Sequence, residues 1–278
     1  MAGRRWVAAA ACAAALSVFA AETGRAAVRL DVRSAEVGGD AARRPLEYVV
    51  WIDGPRLAAE PKPRAGAPAT RRIVYRADQD RAWLVDTARR TYYQVDPASA
   101  QQAASQVAGL RKGLASGLES LTPEQRKAVQ DLLGELSKPP TRPPGEVTLR
   151  ERGETGRYAE LACERHDVME GARRLAELCL AAYGRGPLTR EAVAAVPALG
   201  GFVRRTLEPL AQEFAALRGV AAFGVLDRVD GFPLAVHAFE ENGARRETVV
   251  TRIQEGAVDA TLFELPQGYA RSWIPPFR

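Results

Sequence analysis

Residues 158–183 read YAELACERHDVMEGARRLAELCLAAY. Tyr158 to Met169 and Arg173 to Tyr183 both carry strand-forming patterns, and Glu170-Gly171-Ala172 between them reads as a turn. With a three-residue loop, Cys163 falls opposite Cys179 and Arg165 falls opposite Glu177, a favourable cross-strand pair. A two-residue Glu170-Gly171 loop would put the sulfurs on opposite faces, where no bridge can form. Charge pairing and sulfur pairing favour the same register, so a Cys163–Cys179 disulfide is expected. A reactive thiol is the weaker reading, because no basic residue is placed to depress its pKa.

The hairpin sits in a longer succession of short strands. Upstream, Val28 to Val32 alternates apolar and charged residues, and Leu46 to Ile52 is rich in β-branched and aromatic residues before the Asp53-Gly54 turn. Pro55 to Ala69 carries four prolines and reads as an exposed loop. Arg72 to Ala77, Arg81 to Asp86 and Thr91 to Val95 form an antiparallel meander. Helices follow: Val107, Leu110, Leu114, Leu118 and Leu121 make one apolar stripe. Thr122-Pro123-Glu124-Gln125 begins a second helix as a capping box, with Val129, Leu132, Leu133 and Leu136 as its buried face. Pro139, Pro140, Pro143 and Pro144 end it.

Downstream of the cysteines a helix is expected from Thr189 to about Val196, and another over Phe202 to Arg218 with Val203, Leu207, Leu210, Phe214 and Leu217 on one face. Phe232 to Glu240 and Arg245 to Gln254 close the chain as a hairpin around Asn242-Gly243. This order describes an α+β fold with one antiparallel sheet rather than a doubly wound parallel one.

The N-terminus carries an export signal. Met1-Ala2-Gly3-Arg4-Arg5 is cationic, Val7 to Ala20 is apolar or small, and Val18-Phe19-Ala20 suits cleavage before Ala21. A second cut could follow Gly24-Arg25-Ala26. The run of about 14 residues is shorter than the roughly 20 a bilayer-crossing helix needs. Arg4-Arg5 lacks the flanking residues of a twin-arginine signal. Cys12 follows only five apolar residues and reads as part of the leader core. The expected organisation is a signal peptide at 1–20, a flexible mature N-terminus at 21–27 and a single domain over 28–278, with helical insertions near 98–137 and 188–219. That domain is expected in the periplasm.

The chain has 39 Lys and Arg against 34 Asp and Glu, a formal charge of +5. Loss of Arg4 and Arg5 with the leader lowers it to +3. Acids and bases alternate throughout, which argues against nucleic-acid binding. No later stretch is long and apolar enough to span a membrane.

The meander Ile73-Val74-Tyr75…Ala82-Trp83-Leu84-Val85-Asp86…Arg90-Thr91-Tyr92, the cysteine hairpin with Glu177-Leu178-Cys179-Leu180-Ala181, Gly231-Phe232-Pro233-Leu234 and Phe263-Glu264-Leu265-Pro266-Gln267-Gly268-Tyr269 occur in that order. Together they resemble an uncharacterised family of exported bacterial proteins related to the outer-membrane lipoprotein-localisation carriers. The resemblance covers about residues 28 to 271. It implies a strongly curved antiparallel sheet, a half-barrel, wrapping helices inserted between strand groups. By analogy of fold alone it implies handling of a lipid or lipoprotein acyl chain. The helical insertions are longer than in the compact carriers and could fill such a cavity.

Catalytic chemistry finds no support. Cys163 and His166 sit at odd spacing on one strand and face opposite ways, and no second ligand pair exists for zinc. Neither a nucleophile elbow nor a nucleotide-binding loop appears, so no cofactor is expected. Glu160, Glu164 and His166 share a strand face, as an acid–base cluster or, more simply, a solvated face. The expected function is non-enzymatic: an apolar ligand held between sheet and helices. Trp51, Tyr75, Trp83, Val107, Leu114, Leu132, Leu207, Leu210 and Phe214 are the candidate pocket residues. The alternative is an envelope scaffold that binds another envelope protein, its cavity filled by its own helices.

Overall fold

The computed structural model describes residues 27–37, 45–62, 70–119, 121–125, 127, 146–208, 222–239 and 244–272. The leader, both cut sites, the proline-rich connection, the Asn242-Gly243 turn and the later part of each helical insertion (128–137 and 209–219) lie outside the described residues.

Strands β1 (Ala27–Val37), β2 (Leu46–Asp53), β3 (Arg56–Pro61), β4 (Arg71–Arg76), β5 (Arg81–Asp86) and β6 (Thr91–Val95) precede helix α1 (Pro97–Glu119). Then come β7 (Val147–Tyr158), β8 (Leu161–Glu170), β9 (Arg173–Ala181), helix α2 (Ala195–Thr206), β10 (Phe232–Phe239), β11 (Arg245–Gly256) and the two-residue β12 (Ala270–Arg271). All twelve form one sheet in the order β12-β6-β5-β4-β3-β2-β1-β11-β10-β9-β8-β7. The chain starts in the middle and meanders to one edge. It restarts at the far edge with β7 and works back until β11 closes on β1. Every pairing is antiparallel except β12 on β6. The expected α+β class with a largely antiparallel sheet is therefore observed.

Period-two alternation gives each face its own cover. Ile52, Leu57, Tyr75, Ala82 and Val95 are successive cross-strand partners on one face. Phe202 of α2 packs on Tyr75 there, ring centroids 5.0 Å apart, and Leu188 and Val193 join the same buried cluster. Gly200 lets α2 approach the 222–229 segment: a Cβ at this position would lie 2.5 Å from the Asp227 amide nitrogen. Arg204 forks onto the Asp227 carboxylate and donates to the Gly224 carbonyl at 2.7 Å. On the opposite face Val74, Trp83 and Val85 pack under Tyr92, Leu265 and Tyr269.

Some elements depart from the sequence reading. Arg56–Pro61, expected in a loop, is β3: its only proline is the last residue, where a missing N–H costs the ladder least. The strand expected from Tyr158 is two strands. Ala159 and Glu160 turn the chain with φ of 46° and 65°, the hairpin conformation that glycine or asparagine usually supplies. The helix expected to start at Phe202 begins at Ala195, whereas Thr189 to Ala194 is not helical.

The disulfide Cys163–Cys179 is present, with Cα atoms 5.3 Å apart. Its register differs from the one expected. The turn is two residues, because Glu170 pairs with Arg173, which alone would separate the sulfurs. An irregularity between Val168 and Met169 then leaves Leu175 unpaired and restores the parity. Arg165 lies opposite Cys179, so the sulfurs bridge diagonally on a shared face. Gly156 lies opposite Cys163, and a Cβ there would stand 2.8 Å from the Cys179 sulfur.

Candidate functional site

One cross-strand row beyond the buried Tyr75 row, the same sheet face carries Leu30, Val50, Ala59, Ile73, Leu84 and Tyr93 on six adjacent strands. Leu30 is buried, Val50, Ala59, Leu84 and Tyr93 are half-buried, and Ile73 is 46% exposed. The next row adds Tyr48 and Pro61, both half-buried. An apolar strip thus runs across β1 to β6 beside the region that α2 covers. Leu46, 48% exposed, continues the face along β2.

The expected pocket residues are not all on this face. Tyr75 is buried under Phe202. Trp51 pairs with Ala58, Ala58 with Val74 and Val74 with Trp83, so both tryptophans occupy the opposite face. Trp83 donates its indole N–H to Gln94 at 3.2 Å. Val107 is half-buried on α1 and Leu207 half-buried just beyond α2. Leu114 belongs to α1, its side chain outside the described residues, as are Leu132, Leu210 and Phe214 altogether. Val50, Ile73, Leu84 and Tyr93 were not among the expected wall residues. Alternation within each strand would have grouped them with Tyr75 and separated them from Trp51 and Trp83.

A second feature lies on the helix-bearing face at the other edge of the sheet. A groove of about 800 Å³ runs over β7, β8 and the end of β9 beneath Arg228-Val229-Asp230. Glu160, Glu164 and His166, grouped from the sequence, all line it. Cys163 also lines it, but Cys163 and Cys179 are joined to each other, and among the described residues no metal-holding cluster occurs.

The opposite face holds a charged ladder. Glu247, His237, Glu177, Asp167 and Arg150 are successive partners across β11, β10, β9, β8 and β7. Asp167 and Glu177 are buried side by side, a repulsive arrangement on its own. Four guanidiniums offset it. Arg150 and Arg174 reach Asp167 at 2.8 and 2.7 Å, while Glu177 pairs with Arg152 at 2.8 Å, with Arg165 at 2.7 Å and with Arg174. His237 Nδ1 stands 3.5 Å from Glu177. Burial holds the His237 pKa below its ordinary value, against the upward pull of Glu247 and Glu177. These groups are ion-paired with one another, so the ladder reads as a structural brace.

No protein-family model matches this chain, and no curated protein matches it. Several solved structures are similar to it at low identity. An uncharacterised conserved protein from Thermus thermophilus is 9% identical, with a TM-score of 0.42, over 89% of this chain and 90% of that one. A chain of the Pseudomonas aeruginosa MucA/MucB complex is 13% identical, with a TM-score of 0.36, over 91% of this chain and 62% of that one. A LolA superfamily protein from Nitrosomonas europaea is 7% identical, with a TM-score of 0.34, over 86% of this chain and 90% of that one.

Proposed function

We propose that the protein is a non-enzymatic periplasmic binding protein that holds an acyl chain against the helix-bearing face of its sheet. The supporting observation is the half-open apolar strip Val50–Ala59–Ile73–Leu84–Tyr93, continuous with the buried core yet left partly accessible. From β1 to β6 it spans about 24 Å at ordinary strand spacing, a length that suits an extended fatty chain. Each methylene removed from water contributes about 0.8 kcal/mol before the costs of association. On this reading the sheet curves around its helices as a half-barrel within a single domain, and α1 borders the strip. The leader and the Cys163–Cys179 disulfide support an oxidising, exported setting. Among the described residues no helix is long and apolar enough to cross a membrane.

Delipidated mature protein titrated with a fluorescent fatty acid tests the proposal. Saturable uptake, competed by unlabelled palmitate and weakened by Ile73→Glu, is expected. Absence of uptake, together with lipid-free protein by native mass spectrometry, would reject it in favour of the scaffold alternative.

A further inference from the structure

The groove over β7 and β8 gathers charged side chains of both signs. Several arginines outside it meet carboxylates: Arg72 with Glu60, Arg76 with Glu264 and Arg205 with Asp80. By strand register Glu151, Glu164 and His166 stand towards one end of the groove and Arg157 towards the other, the end to which β9 runs before Arg185. Among the described residues no ion pair joins any of them to another charged group.

Strand register fixes the separation. Glu151 is opposite His166, Thr155 is opposite Glu164, and Arg157 is opposite Ala162, all on the face that carries the groove. From Ala162 to Glu164 is two residues along β8 and to His166 is four, about 7 and 13 Å at strand rise. Three further charges line the groove, and one of them, Asp230, is paired with Arg190. Arg228 donates to the Val147 carbonyl at 3.1 Å, tying the overlying loop to β7, and Glu160 lies in the β7–β8 turn. Leu149, Leu180 and Val229 supply apolar wall.

We infer that this groove binds a short zwitterionic peptide of two to four residues. Its ammonium lies at Glu151 and Glu164, and its carboxylate lies at Arg157 and Arg185. An extended tripeptide spans about 10 Å, which matches the separation of the two ends. Opposed charges set at a fixed distance select a dipole of that length over a free amino acid or a capped chain, and the guanidinium fork suits a carboxylate. This site is separate from the apolar strip and does not depend on it.

Calorimetric titration of the mature protein with trialanine, trialanine amide and N-acetyl-trialanine tests it. The expected result is saturable binding of trialanine, with each capped form at least tenfold weaker. Arg157→Gln with Arg185→Gln should abolish the preference over the amide. Glu151→Gln with Glu164→Gln should abolish the preference over the acetylated form. All four positions are exposed, and thermal unfolding of each variant checks that the fold is kept. No saturable binding of trialanine, or end-group preferences unchanged in the variants, would overturn the inference.

Discussion

Replacing Gly156 by alanine should destabilise the oxidised protein and stabilise the same protein once the sulfurs are gone. Gly156 lies opposite Cys163 on β7, and an added Cβ would stand 2.8 Å from the Cys179 sulfur and 3.4 Å from the Cys163 sulfur. Both cysteines are only 3% exposed and tied to each other, so neither sulfur can swing aside. Overpacking of this kind costs about 1–3 kcal/mol. Gly156 is not in the left-handed region, so alanine fits its backbone. In a Cys163→Ala/Cys179→Ala background only the usual gain from a stiffer unfolded chain remains, about 0.4–1 kcal/mol.

The sign of the substitution therefore reverses, with a coupling of about 2–3 kcal/mol between Gly156 and the sulfurs. Urea unfolding of the four proteins in the cycle measures it. The temperature must keep the disulfide-free form folded, since losing this bridge removes roughly 3 kcal/mol. A penalty at Gly156 that is the same with and without the sulfurs would refute the reasoning.

Other consequences follow from the packing and the buried charges. Gly200→Ala should cost about 2 kcal/mol or more, because the new methyl meets the backbone of Asp227 and Leu226 rather than a movable side chain. Chemical denaturation checks this, and an unchanged midpoint would contradict the contact. His237, its pKa held down by burial, is neutral in the fold and binds protons more readily when unfolded. Its contribution is therefore complete above its unfolded pKa of about 6.5 and is lost as pH falls below that value towards the lowered folded pKa. His237→Gln should flatten the decline in stability just below neutrality; an equally steep decline in the variant would show that other groups carry it.

Much of the sheet was legible because its strands alternate cleanly. Arg81 to Asp86 and Thr91 to Val95 have the bounds expected from their residues. β7 was missed because Val147 to Tyr158 carries charge at five of its twelve positions and follows a proline-rich run, and because Ala159-Glu160 makes a turn without a turn-forming residue. The cysteine pairing was legible while its register was not: an unpaired Leu175 leaves no mark on the pattern of apolar and polar residues. The strip failed for a different reason. Aromatic content drew attention to Trp51 and Trp83, whereas the face a residue occupies depends on cross-strand register.

The central claim is that a fatty chain lies along the strip on the helix-bearing face. Photo-crosslinking the mature protein with a diazirine-bearing fatty acid, followed by peptide mapping, tests it most directly. The account predicts labels at Val50, Ile73, Leu84 and Tyr93, displaced by excess palmitate. Labels confined to the opposite face around Trp51 and Trp83, or no displaceable labelling, would contradict it.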